Sequence, residues 1–529
     1  HGDLAGTGTA LLRSRALWEH RAVVLAADAG QAVAGLRGVE RGTAAPDVVT
    51  GVADPAGSGR VVWVFPGQGA QWDGMGRELW DTEPVFAAKM AACERALAPH
   101  VGWSLSDVLR RAPGAPSLAR VDVVQPVSFA VMVSLAALWE SCGVRPDAVL
   151  GHSQGEIAAA CVAGALSLAD AARIVAVRSQ VIATGLAGRG GMLSVAIGEE
   201  RARAEVVADP RWAGRVELAA VNSPDAVVVA GEPGALDEIE AGYLDRGVRV
   251  RRIPVDYASH TGQVAAVEAE LTTALAGVTG AAPAVPWYST VDGDWVTGRL
   301  DAAYWYRNLR TRVGFAAATR ALGERGHRVF LEVSSHPVLT TSVQATLDDA
   351  GAGPAVVCGT LRRNEPEQAR FRRSAAELFA CGVELDWAPL LPGAGGSVAL
   401  PTTAFQEDRY WLVSGPAAAD ASGLGLVPLP HPLLGAAVED PETGGVVLTG
   451  RLSVRTHPWL ADHAVSGAVV VPGAALVELA IQGGDRVGLP VLDELVVEAP
   501  LVLPDAAAAR VRVVVGAEDA GRRPVAVHA

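Results

Sequence analysis

The stretch 149–167, "VLGHSQGEIAAACVAGALS", runs from an apolar strand pattern through a serine set between two glycines into an alanine-rich helical pattern. A strand that feeds straight into a helix constrains the fold strongly. The helix carries the chain back across the sheet, so the next strand lies parallel to the first. The segments before it repeat that alternation: "RVVWVFPGQGAQW" from Arg60 reads as a short buried strand closed by Pro-Gly, "PVFAAKMAACERALAPH" and "QPVSFAVMVSLAALWESCG" read as helices, and "PDAVLGHS" reads as the strand before the serine. The expected class is α/β with a parallel sheet, and a helix is expected to begin at Ser153 itself.

Between Gly191 and Val255 the order changes. Strand "GMLSVAI", helix "EERARAEVVA", strand "VELAAVN", turn "SPD", strand "AVVVAG", helix "PGALDEIEAGYLDRG" and strand "VRVRRIPV" follow one another. That β-α-β-β-α-β order is the ferredoxin-like split unit, inserted into the larger α/β body at about 191–255. The larger body resumes with "DYASH" and continues through "VPWYSTVDG", "AYWYRNLR" and "VFLEVSSHPVL".

The flanks have another character. Residues 1–58 hold one helical stretch, "AGQAVAGLRGVERG", and close in "GVADPAGSG", whose Pro, Gly, Asp and Ser mark a linker. After Asn364 one more helix, "EQARFRRSAAELFACG", precedes a stretch at about 385–424 too rich in Gly, Pro, Ala and Ser for a core. Its aromatic run "FQEDRYWL" suits pinning to a neighbouring surface. From Pro428 a β-rich pattern begins, with "HPLLGAAVE", "GGVVLTGRLS", "VLDELVVEAPLVLP" and "ARVRVVVGAE" as its apolar runs. A chain of 529 residues has room for two to four domains. It opens at His1 without an initiator Met or a signal-like segment, and the pattern still runs at Ala529, so both ends are expected to be cuts from a longer polypeptide.

Composition argues against several classes. A net charge of −14 with a single lysine, Lys89, offers no cluster of cations for nucleic acid. The longest apolar segments, such as "VSFAVMVSLAALW" and "VVVPGAALVELAI", are broken by Ser, Pro, Gly or Glu short of the roughly 18 to 20 residues of a membrane span. A soluble, cytoplasmic protein with no membrane partner is expected. Cys93, Cys142, Cys161, Cys358 and Cys381 are scattered, with no C-x-x-C pair and no histidine at ligand spacing, which points to a reduced compartment and no metal.

The serine carries the chemistry. A nucleophilic serine needs a side chain clear of the backbone, a base for its proton, and donors for an oxyanion. G-x-S-x-G meets the first need: Gly151 and Gly155 permit the crowded strand-to-helix elbow that presents Ser153. The following helix aims its N-terminal amides at developing negative charge, with the N–H of Gln154 as the natural donor. On these residues alone the reading is shared with a hydrolase of the α/β-hydrolase type, which uses Ser, then Asp or Glu, then His.

Segments outside the elbow separate the two. "FPGQGAQW" resembles the amino-terminal signature of the malonyl-CoA:acyl carrier protein transacylase family, "GHSQGE" at 151–156 its nucleophile motif, "AVRSQ" at 176–180 its arginine segment, and "YASH" at 257–260 its histidine segment. The four stand in the family's order over residues 60–361 and frame the ferredoxin-like insertion. The flanks resemble the end of the ketosynthase–acyltransferase linker (1–58) and the segment after the acyltransferase ("LPTTAFQEDRYWL", within 362–424) of modular type I polyketide synthases. "HPLLGAAVE" with "HPWLADHAVSGAVVVPGAALVELA" resembles the start of a polyketide synthase dehydratase at 428–529, so a partial hotdog fold is expected there.

The resemblance implies the following roles. Ser153 takes an extender acyl group from a coenzyme A thioester, and His260 deprotonates it and later protonates the leaving thiolate. Gln68 completes the oxyanion hole with Gln154, each through its backbone N–H. Arg178 holds the extender's free carboxylate, for which a planar guanidinium fork is well suited. "RVDVVQP" at 120–126 and "YASH" resemble the methylmalonyl-type selectivity pattern, where Tyr257 lines the pocket and the small Ser259 leaves room for a methyl group. One methyl group is worth only about 1 to 3 kcal/mol, so selectivity of that origin is leaky. In the dehydratase pattern H-x-x-x-G-x-x-x-x-P, His463, Gly467 and Pro472 fit, and His463 is the implied base. The aspartate that would serve as acid lies beyond Ala529, so the dehydratase is expected to be inactive as a fragment. No bound cofactor or metal is implied. The expected partners are methylmalonyl-CoA, the phosphopantetheine arm of an acyl carrier protein, and neighbouring synthase domains. A serine hydrolase and an inactive docking fragment stay open as alternatives.

Overall fold

Val61 to Phe65 are all under a tenth exposed, although their side chains alternate between the two faces of the strand Arg60–Phe65. A strand with no polar face has to sit inside a sheet covered on both sides. In the computed structural model, which describes residues 3–43, 45–54, 59–391, 398–402, 421–504 and 507–529, that sheet has five strands. Their order is Val356–Gly359, His327–Glu332, Arg60–Phe65, Ala148–Gly151 and Trp287–Tyr288, and every neighbouring pair is parallel. Val61, Trp63 and Phe65 enter one core with the helices Pro84–Leu97, Val121–Ser141 and Leu168–Gly185. Val62 and Val64 enter a second core with the helices Phe315–Glu324 and Thr340–Asp349. The parallel α/β body expected from the sequence is the one observed, with helices on both faces of the sheet.

Val121–Ser141 is long and apolar enough to cross a membrane by length and composition, against the expectation that its serines cut it short. Serine does not end a helix whose neighbours are apolar, and this helix lies inside the protein, buried along most of its length. Its apolarity is that of a central core helix.

The inserted unit has the strand order Val216–Ser223, Ala226–Gly231, Gly191–Val195 and Val250–Ile253, all antiparallel, as the ferredoxin-like pattern requires. It has its own core of Leu193, Val195, Val229, Leu236, Ile239 and Tyr243.

The described chain divides into two units, His1–Thr402 and Thr403–Ala529. Within the first, the amino-terminal segment is more ordered than a linker: His20–Val24 pairs antiparallel with Val48–Val52, so Gly51 and Val52 of "GVADPAGSG" end a strand. The pair is held by the helix Glu367–Ala380, where Val49 packs on Ala376 and Ala380 and Arg21 donates to the carbonyl of Phe379 at 3.0 Å. That helix is itself tied to the main body by reciprocal caps. The Glu367 carboxylate accepts from the N–H groups of Gly76, Glu78 and Leu79, and Glu78 accepts from the N–H of Glu367 at 2.7 Å. Each carboxylate satisfies amides that the start of the other helix leaves open. The aromatic run "FQEDRYWL" lies outside the described residues.

The second unit is an antiparallel sheet with the order Val427–Pro428, Ala436–Asp440, Gly445–Leu452, Ala509–Val515 and Val525–His528. The helix Gly473–Arg486 lays Leu476 and Leu479 against Leu448, Val511 and Val513. A sheet curled on one long helix is the partial hotdog expected. The run "VLDELVVEAPLVLP" departs from expectation. It forms no regular strand, only an isolated bridge from Val502 to Val470, and Val491 and Val496 stand 79% and 70% exposed. An apolar run becomes a strand only with a partner along its length, and among the described residues only its end is paired, where Val471 N–H donates to the Leu501 carbonyl and Leu503 N–H to the Val469 carbonyl, each at 2.9 Å.

Candidate active site

The elbow is built by close approach. A Cβ on Gly155 would stand 2.0 Å from the carbonyl oxygen of Phe65, and one on Gly151 would stand 2.4 Å from the backbone of Glu156. Only glycine fits at either position. The helix starts at Gly155 and not at Ser153, because Ser153 has φ +55°, a left-handed conformation that an α-helix cannot include. Six non-glycine residues have positive φ among the described residues, and two of them are Ser153 and His260. Strain of this kind costs about 1–3 kcal/mol per residue and persists where surrounding structure over-determines it.

The structure brings these two together. Ser153 Oγ lies 2.8 Å from His260 Nε2, and His260 Nδ1 lies 2.8 Å from the carbonyl oxygen of Thr311. A carbonyl only accepts, so Nδ1 carries the proton and Nε2 presents its lone pair to the serine hydroxyl. Where a hydrolase triad places a carboxylate, this chain has a main-chain carbonyl. His260 is 3% exposed, and burial, aided by the charge of Arg178, drops its pKa to about 3. Its Nε2 is therefore unprotonated throughout the neutral range.

Two main-chain donors beside the elbow are unpaired with protein groups among the described residues. Gly67 packs on the elbow, with its Cβ position 3.3 Å from the His152 carbonyl oxygen and 3.6 Å from Ser153 Cβ. The backbone N–H groups of the adjacent Gln68 and of Gln154 donate to no other protein group among the described residues. The side-chain amide of Gln154 is also buried without a protein partner there.

Arg178, on the helix Leu168–Gly185, is 2% exposed. Its Nη1 donates to Gln125 Oε1 at 2.9 Å, while its Nε has no protein partner and no carboxylate pairs with it among the described residues. Burial lowers its pKa to about 10, which leaves it charged at neutral pH. Gln125 Nε2 continues to Tyr257 Oη at 3.3 Å, and the Tyr257 hydroxyl donates to Gln68 Oε1. Ser259 is buried with its Oγ 3.4 Å from Met192 Sδ, a side chain of the inserted unit.

Sequence reasoning left several residues unassigned. Glu156 is fully buried and accepts from Thr290 N–H at 2.6 Å, Thr290 Oγ1 at 2.8 Å, Tyr304 Oη at 2.9 Å and Asn308 Nδ2 at 3.0 Å. Burial nonetheless pushes its pKa up to about 7. Asn308 also donates to the Ser153 carbonyl at 3.1 Å, so the cluster fixes the elbow from beneath. His152 Nε2 meets Asn222 Oδ1 of the inserted unit at 2.9 Å. Glu156 closes the quoted motif "GHSQGE"; nothing local marks Asn308, Thr311 or Asn222.

In the second unit, His463 is exposed and its Nδ1 lies 2.7 Å from the Val470 carbonyl oxygen. Gly467, φ +84°, and Ser466, φ +51°, form the two-residue turn between Ala464–Val465 and Ala468–Val469, and Pro472 caps the helix Gly473–Arg486. The motif positions are thus three consecutive fold elements.

A parallel α/β body, an inserted ferredoxin-like unit and a serine elbow facing a histidine define the class of acyl transferase domains. The chain matches the family model of the acyl transferase domain over residues 62–385 and that of the polyketide synthase dehydratase domain over 431–529, and it belongs to the acyl transferase domain family in its modular type I polyketide synthase form. It is 52% identical over its whole length to pikromycin polyketide synthase component PikAII of Streptomyces venezuelae, and 53% identical over 98% of its length to mycoketide-CoA synthase of Mycobacterium tuberculosis. It spans only 14% and 12% of those two proteins. Among solved structures, the acyltransferase domain from module 8 of the salinomycin polyketide synthase superposes with a TM-score of 0.70 at 52% identity, covering 74% of this chain and 91% of that one.

Proposed function

We propose that this chain transfers an extender acyl group from coenzyme A to an acyl carrier protein, with Ser153 as nucleophile. His260 Nε2 takes the hydroxyl proton as Ser153 Oγ attacks the thioester carbonyl, and the N–H groups of Gln68 and Gln154 receive the oxyanion. Collapse expels the coenzyme A thiolate, which takes the proton from His260. The phosphopantetheine thiol of the carrier protein then repeats the sequence in reverse, leaving Ser153 free.

The observation that carries this reading is Arg178: a buried guanidinium that forms no ion pair among the described residues, close enough to the serine–histidine pair for its charge to lower the pKa of His260. A buried cation without a counter-ion is costly, and a substrate carboxylate would supply the missing charge. An esterase of simple acyl groups has no use for it. Methylmalonyl is the proposed extender, on the strength of Tyr257 and of Ser259, whose small side chain leaves space beside the acyl α-carbon. For the second unit we propose His463 as a dehydratase base, its Nε2 without a partner among the described residues. Intact-mass spectrometry after mixing with an equal mixture of malonyl-CoA and methylmalonyl-CoA tests the reading. The expected result is a dominant methylmalonyl adduct that Arg178→Ala weakens; a dominant malonyl adduct overturns the substrate, and no adduct overturns the reaction.

A further inference from the structure

The hydrogen bonds that begin at Arg178 form a chain with a fixed direction. A guanidinium only donates, so Gln125 must turn its carbonyl oxygen, Oε1, toward Arg178 Nη1. That places the amide group of Gln125, Nε2, toward Tyr257, where it donates to the phenol oxygen at 3.3 Å. The phenol proton is then left to point at Gln68 Oε1, the acceptor that the structure places there. Each orientation follows from the one before, and the first three members, Arg178, Gln125 and Tyr257, are 2%, 2% and 3% exposed, so water does not offer substitutes.

The far end of this chain is the turn that faces the serine. Gln68 sits between Gly67 and Gly69, and Gly69 has φ +121°, so the peptide groups on both sides of Gln68 are conformationally soft. Gly69 N–H is held by Gln71 Oε1 at 2.6 Å and the Ala70 carbonyl by Ser335 Oγ at 2.7 Å, but both ties lie beyond Gln68. Its own side chain is held by Tyr257.

We propose that Tyr257 is a positioning residue for acylation: its hydroxyl is the strut that couples the carboxylate-binding arginine to the oxyanion-binding turn, so one hydrogen-bonded unit places both ends of the extender. This deepens the reading of Arg178, Gln68 and Ser153 given above and rests on it. It gives Tyr257 a duty separate from selectivity. A wall of the pocket acts through its ring, which Tyr257→Phe keeps; a strut acts through its hydroxyl, which Tyr257→Phe removes. The loss leaves Gln125 Nε2 and Gln68 Oε1 unpaired and frees the turn.

The test measures the single-turnover rate of acyl-enzyme formation with malonyl-CoA and with methylmalonyl-CoA. Tyr257→Phe is expected to slow both by about 10- to 100-fold at saturating substrate, the scale of a misplaced oxyanion donor, while the ratio between them moves by less than about 3-fold. Gln68→Ala keeps the backbone N–H and removes the acceptor of the strut, so it should slow both to a similar degree. Combining the two should cost no more than about 3-fold beyond the slower single variant, because both cut the same link. Gln68 is only half-buried, so Gln68→Ala decides the matter even if Tyr257→Phe folds poorly. A wild-type rate in either single variant, a change confined to one substrate, or losses that multiply in the double variant would overturn the strut. If the unaltered protein acquires neither acyl group, the parent reading fails instead.

Discussion

His260 in the first unit and His463 in the second share their local wiring and little else. Each sets Nδ1 against a main-chain carbonyl, of Thr311 at 2.8 Å and of Val470 at 2.7 Å, which fixes the tautomer and frees Nε2. His260 is buried, strained at φ +61°, and meets a serine hydroxyl; His463 is exposed, and its Nε2 meets nothing among the described residues. A carbonyl partner thus fixes the tautomer of both histidines. What turns that wiring into a centre is the second partner, together with the packing that holds both in conformations they would otherwise leave.

The comparison can be broken most forcefully at His260. His260→Ala should slow acyl-enzyme formation by about 100- to 10,000-fold, read by the rate of mass gain, with little change in thermal stability. A drop below tenfold would reduce His260 to the wiring its counterpart shares.

Packing around the two sites differs as sharply. Gly155→Ala drives a methyl group into the Phe65 carbonyl and is expected to cost more than about 3 kcal/mol or abolish folding of the first unit. Gly467 has φ +84° and open space around it, so Gly467→Ala should cost the second unit only about 1 kcal/mol, from backbone strain alone. Denaturant unfolding of each variant compares them, and equal losses would mean that the elbow is less crowded than its geometry.

Two pH predictions sharpen the contrast further. Glu156 has its folded pKa raised from the ordinary 4.5 to about 7, so the native state holds more protons than the unfolded one between those values. Its contribution is complete below about pH 4.5 and is lost as pH rises through 7; relative to Glu156→Gln, the wild-type protein should lose about 3 kcal/mol between pH 4.5 and 8. Glu332, also pushed up to about 7, is present in both and cancels. A difference that grows in the opposite direction would contradict the buried carboxyl. The smallest effect is an absence. With its pKa near 3, His260 stays neutral, so acylation by Glu156→Gln should change by less than about twofold between pH 8 and 5.5. A decline following pKa 6.5 would place His260 in water.

The sequence carried the alternation of strands and helices, the inserted unit and the elbow because each is a local pattern: period, glycine spacing and chain order. Ser153, His260, Gln68, Gln154 and Arg178 were expected from short motifs; the structure pairs Ser153 with His260 and, in a separate group, ties Arg178 to Gln68 through Gln125 and Tyr257. Asn308, Thr311 and Asn222 were not legible, because they act through a side-chain amide or a carbonyl delivered from 51 to 155 positions away. The strand pairing of residues 20–52 was missed for the same reason: its partner surface, Ala376 and Ala380, is supplied by the far end of the same unit. The apolar run 491–504 shows the limit of pattern reading, since a strand requires a neighbour that period alone does not provide.

Everything rests on a covalent bond at one oxygen. Rapid quenching after mixing with methylmalonyl-CoA, followed by peptide mapping, should find the acyl group on the peptide that contains Ser153 and nowhere in Ser153→Ala. An acyl group on any other residue, or retained by Ser153→Ala, would contradict the account.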